Sequence, residues 1–64
     1  MNAELDAFLL LYLVVTERDE EATRQALREV ALGFERKTAH KIAHLVERSL
    51  DGAGSLWLSR LAIG

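Results

Sequence analysis

Sixty-four residues allow one domain and leave little chain for an enclosed pocket, and the absence of cysteine excludes disulfides and thiolate metal sites. Half of the residues are apolar, proline is absent, and a formal charge of −2 argues against polyanion binding by the molecule as a whole. The charge is uneven: residues 1–35 hold eight acids against three bases, whereas residues 36–64 hold five bases (Arg36, Lys37, Lys41, Arg48, Arg60) against Glu47 and Asp51. Such halves suit head-to-tail association, antiparallel helix packing or a local basic surface for an acidic partner.

The chain opens with Asn2 as a helix N-cap and with Glu4 and Asp6 in the first turn, where the helix dipole favours anions. A first helix is predicted over about residues 3–16. Within it, Ala7 to Val15 is an unbroken apolar run of nine residues. Leucine-rich composition favours helix over a buried strand at 8–15, since only Val14 and Val15 are β-branched. The run is shorter than the roughly 20 residues that span a bilayer. Its lead-in is acidic and no small-residue cleavage site follows, unlike a signal peptide. A soluble cytoplasmic protein with no membrane association is expected.

A surface helix normally keeps one polar side. A helix that is apolar all round must be covered all round, and a chain this short lacks the material. The expected cover is a second copy, in a homodimer where each first helix is sandwiched by helices of both chains.

Thr16 to Glu21 is a polar break in which Thr16 or Asp19 can cap a second helix and Glu20 can pair with Arg24 one turn on. Ala22, Ala26, Leu27, Val30, Ala31 and Phe34 follow at helical spacing, and the stripe resumes at Ala39, Ile42, Ala43, Val46 and Leu50, with Leu45 beside it. Gly33 lies between, able either to end a helix or to sit inside one at a cost of about 1 kcal/mol. One long or bent helical region over about 19–51 is predicted, with only a small change of direction; straight, it would measure about 50 Å. Asp51-Gly52-Ala53-Gly54-Ser55 reads as a stop, with the glycines in left-handed conformation and Ser55 capping a short last helix over about 55–62. The fold class is therefore all-α, a small helical hairpin or bundle forming one domain over residues 1–64. Its predicted core is Phe8, Leu9, Leu11, Tyr12, Val15, Leu27, Val30, Phe34, Ile42, Leu45, Val46 and Leu50.

Chemistry has few candidates. His40, His44 and Glu47 share one helix face, a spacing able to hold a divalent cation, but the chain has no third histidine to complete a shell. A solvated face made of Lys37, His40, Lys41, His44 and Arg48 is the preferred account. Ser49, Ser55 and Ser59 fall near predicted helix ends, where capping explains them. No phosphate-cradling loop or nucleophile–base set is present, so no enzymatic activity, cofactor or metal is expected.

Residues 32–42 carry a different signal. Gly33, Phe34, Ala39 and Ile42 stand at the spacing of a turn followed by a buried small and aliphatic pair, and the segment resembles the turn and recognition helix of helix-turn-helix DNA-binding modules. The resemblance implies that Arg36, Lys37, Thr38, His40 and Lys41 face the major groove or phosphates. The segment departs from that family four residues before the glycine, where a small residue is usual and Glu29 stands.

The last segment, Leu56 to Ile63, is strongly apolar and holds the only tryptophan. It reads either as a helix folded back on its own core or as an interaction tail anchored by Trp57. The favoured function is a non-enzymatic protein-binding regulator, resembling in size and class the anti-activators, adaptors and accessory proteins of phage or plasmids, that occludes a surface of a larger protein. Its interface residues are expected to be Phe8, Leu9, Leu11, Tyr12 and Val15, together with Leu56, Trp57, Arg60 and Leu61. The alternative is a small DNA-binding transcriptional regulator using residues 32–42.

Overall fold

The computed structural model describes the backbone of residues 2–63 and the side chains through Leu61. Four helices follow one another: α1 (Ala3–Thr16), α2 (Glu20–Gly33), α3 (Arg36–Ser49) and α4 (Gly52–Ile63). No strand occurs among the described residues. Short polar side chains start three of the helices. Asn2 accepts from the Glu4 and Leu5 amides at 3.0 and 3.2 Å, Asp19 from Ala22 at 3.0 Å, and Asp51 from Gly54 at 2.6 Å. Each bond satisfies an amide that the helix cannot pair internally. Glu35 precedes α3 without such a bond.

The predicted region 19–51 is two helices rather than one. Phe34 (φ −133°, ψ 158°) and Glu35 (φ −62°, ψ 156°) are extended and turn the chain sharply. The longest dimension of the molecule is 29 Å, well under a straight 19–51 helix. Gly33 is the last helical residue of α2, with nothing within 4 Å of where a Cβ would stand and no left-handed φ, so the corner does not depend on glycine. The reason for the corner is burial. Val30 and Ile42 are both buried, and only a bent chain brings both ends of the stripe back to α1. Near the corner, Leu27, Val30 and Ala31 face Ala39, His40 and Ala43. α1 and α3 run in the same direction: Glu4 meets Lys41 at one end, and Tyr12 and Thr16 lie beside Ser49 and Leu50 at the other.

The core is built from α1 outward. Leu11 and Val15 are fully buried against Ala26, Val46 and Leu58, with Phe8, Tyr12, Val14, Leu27, Leu50 and Trp57 packed around them. The Phe8 and Tyr12 rings stack at 6.0 Å between centroids. Cover for the inner side of α1 thus comes from α2, α3 and α4 of the same chain. The Cα radius of gyration, 10.5 Å, is that of a packed domain of this length. Two predicted core positions, Leu9 and Leu45, are exposed instead, and Phe34 is only half-buried. Thr23 is fully buried, and its hydroxyl has no partner among the described residues, so the core carries a desolvation cost there.

The α1–α2 corner and α4 are held together by Arg18. Its amide donates to the Val15 carbonyl at 3.0 Å and that of Asp19 to Val14 at 3.4 Å, the paired bonds that close a helix end on a left-handed residue. That position usually holds glycine, yet Arg18 occupies it at φ 58°. Its side chain accounts for the choice. The guanidinium lies 5.7 Å from the Trp57 ring centroid, 4.0 Å from Asp51 Oδ1, and donates to the Val15 carbonyl at 3.3 Å. Gly54 leaves room for this group: a Cβ there would come within 3.0 Å of the guanidinium and 3.3 Å of Leu50 Cβ. The glycines of 51–55 therefore belong to the first turn of α4 and are not left-handed stops, and the cap is Asp51 rather than Ser55.

Left-handed backbone costs a non-glycine residue about 1–2 kcal/mol, and an exposed cation–π contact returns about 0.5–1 kcal/mol. Arg18→Ala keeps the strain and loses the contacts, and lowers stability by about 1 kcal/mol in urea unfolding. Arg18→Gly loses the contacts but relieves the strain, and stays within about 1 kcal/mol of the native chain and above the alanine variant. Equal losses in both variants would show that backbone strain at this corner is negligible.

Candidate interaction surfaces

Two outward faces carry the features that could engage a partner. The first is on α1. Leu5, Leu9 and Leu13 recur every four residues and form one stripe, 51%, 54% and 57% exposed, with Leu10 beside it at 48%. Leu45 of α3 extends the patch across the α1–α3 seam at 41%. Leu5, Phe8, Ile42 and Leu45 line a shallow cleft there, closed at its rim by a Lys41–Glu4 ion pair at 3.5 Å. A small soluble domain seldom leaves a contiguous leucine stripe in water without a use for it.

The second face is on α3. Arg36, Lys37, His40, Lys41, His44 and Arg48 are all exposed, on the side opposite the buried Ile42 and Val46. The first turn of α3 carries no acid. Glu35 is exposed just before it and Glu47 is half-buried at its edge. Among the described residues, Lys41 is the only one of these side chains with a carboxylate within 4 Å. His40, His44 and Glu47 do not form a metal-holding cluster: no three such side chains among the described residues come together closely enough.

The residues expected at a protein interface divide. Leu9 lies on the exposed stripe. Phe8 and Tyr12 are half-buried at its edge, and Leu11 and Val15 are wholly enclosed, so the last two offer a partner nothing. The C-terminal segment is a docked helix rather than a free tail. Leu58 is 3% exposed in the core, Trp57 is half-buried against it under Arg18, Leu61 is half-buried, and Leu56 and Arg60 face out. Of the residues expected to read DNA, Arg36, Lys37, His40 and Lys41 face out together, whereas Thr38 is half-buried. The stripe residues Leu5, Leu10 and Leu13 are missing from the sequence-based list, and Leu45 was assigned to the core. Nothing in an all-apolar run marks which of its members face water.

No family model, curated protein or solved structure matches this chain. No helix among the described residues is long and apolar enough to cross a membrane.

Because Trp57 supports the core, its removal acts first on folding. Trp57→Ala lowers stability by about 2–3 kcal/mol, less than for a fully enclosed tryptophan. For a chain this size that is a large share of a total near 3–10 kcal/mol. The loss appears as a fall in the urea midpoint with α4 protection reduced. An unchanged midpoint would mean that Trp57 contributes nothing to the fold.

Proposed function

We propose that this chain is a non-enzymatic protein-binding regulator that works by occlusion, and that its contact surface is the leucine stripe of α1. The observation that carries this is the half-exposure of Leu5, Leu9, Leu10 and Leu13 together on one helix, where the other exposed leucines, Leu32 and Leu56, stand singly. Covering a half-exposed leucine contributes about half of the roughly 1.5–3 kcal/mol of full burial, so four of them together with Leu45 can drive docking once the costs of ordering and lost freedom are met. The stripe is straight, one turn apart at each step, and adjoins the Leu45 cleft, a form that suits a helix laid alongside it.

The occupants in view are a second copy and an apolar helix or groove of a larger protein. A standard interface takes about 800 Å² from each partner, about a sixth of the 4673 Å² this chain exposes. Self-association and target binding through one stripe are mutually exclusive. The homodimer would then be the resting form, and regulation would consist of exchanging one copy for the target, whose own contact surface is thereby blocked.

Light scattering at micromolar concentration then gives a mass near twice 7.2 kDa. Leu9→Lys with Leu13→Lys returns it to the single-chain value with the helical circular dichroism unchanged, since both side chains are already in water. A single-chain mass for the native protein, with no difference between native and variant in capturing a partner from the source cell, would remove this function.

A further inference from the structure

The basic face of α3 is not used by the α1 stripe. We infer that it docks on the phosphate backbone of duplex DNA, with the α3 helix lying in or along the major groove. This goes beyond the protein-binding function and rests on different residues.

Three observations converge. First, the outer side of α3 is rich in bases along the whole helix, with Glu47, half-buried, as the one acid of the helix. Arg36, Lys37, Lys41 and Arg48, with His40 and His44 between them, cover the exposed side of a 14-residue helix about 21 Å long. A chain of net charge −2 that gathers four of its eight Lys and Arg side chains on one helix face has a local potential opposite to its overall one. Second, these cations are held available. Arg36, Lys37 and Arg48 have no carboxylate within 4 Å among the described residues, and only Lys41 is paired, to Glu4 at 3.5 Å. Arg28 and Arg60 are likewise without a carboxylate within 4 Å among the described residues, but each is the single such base of its helix, whereas Arg24 pairs with Glu20 at 3.1 Å and Arg18 sits in the Trp57 corner. Third, the two-residue corner at Phe34–Glu35 sets α3 against α2 near its first turns and leaves its other side free, so a single helix can enter a groove about 12 Å wide.

Duplex DNA suits this face better than an acidic protein for a geometric reason. The bases spread over the outer arc of α3, with Arg36 on one flank and Lys41 on the other, so a helix seated in a groove presents charge to the phosphates of both walls. Guanidinium and imidazole groups on the same side also offer the hydrogen-bond donors that base edges accept.

The test is fluorescence anisotropy with a labelled random-sequence duplex of about two helical turns, the full chain being titrated at several salt concentrations. Three phosphate contacts, by Arg36, Lys37 and Arg48, predict an affinity that falls about 40-fold between about 50 and 200 mM salt. Arg36→Gln or Lys37→Gln each reduces that fall to about 12-fold, the loss of one contact. Arg24→Gln, on the exposed side of α2, leaves it unchanged. All three side chains are exposed, and circular dichroism confirms that the variants fold. Absence of binding at low salt overturns the inference. So does binding whose salt dependence ignores Arg36 and Lys37. Tighter binding to polyglutamate than to the duplex at the same salt overturns it as well, and assigns the face to an acidic protein. Because Leu9→Lys with Leu13→Lys addresses the other surface, failure here leaves the α1 result intact, and the reverse also holds.

Discussion

An apolar helix in a short chain divides its own side chains between inside and outside, and α1 shows the division. Three helices of 12–14 residues can wrap only part of its circumference. Leu11 and Val15 take the enclosed side and anchor the core, while Leu5, Leu9, Leu10 and Leu13 remain half in water. The fold needs the first set for stability. The second set contributes less to the single chain, since water still reaches about half of each side chain, and gains the rest when another protein covers it. Structure and proposed function therefore draw on opposite sides of one helix.

The remaining architecture serves to close the inner side. α2 and α3 meet at a sharp corner so that Val30 and Ile42 can both be buried, and α4 folds back so that Leu58 caps the Leu11–Val15 pair. Arg18 locks that return. It accepts a backbone conformation that glycine would hold more easily, and in exchange its guanidinium spans from the end of α1 to Trp57 and Asp51 on the α3–α4 side. With α4 pinned inward through Leu58 and Trp57, the contiguous outward apolar surface is that of α1 and Leu45, while Leu32 and Leu56 are exposed singly on α2 and α4.

What the sequence made legible follows from how local each signal is. Asn2 and Asp19 identify the starts of α1 and α2 because a cap depends on a side chain and an amide two or three residues apart. The buried side of α3 is legible because polar residues mark the other side. α1 offers no such phase: where every position is apolar, periodicity carries no information, so Leu9 is expected in both core and interface and Leu13 is given no role. The corner at Phe34–Glu35 has neither glycine nor proline in it, and it arises from the burial of residues on both sides, a long-range effect that no local pattern encodes. Gly54 shows the converse. Its local signal is that of a helix end, whereas its role is to admit the Arg18 guanidinium.

The central claim is that the exposed leucines of α1 meet protein while the enclosed ones do not. Methyl-resolved NMR of leucine- and valine-labelled protein through a dilution series addresses it residue by residue. The account predicts concentration-dependent shifts confined to Leu5, Leu9, Leu10, Leu13 and Leu45, with the Leu11 and Val15 methyls unmoved. Spectra that stay identical from the most concentrated to the most dilute sample, both alone and with extract from the source cell added, would contradict it.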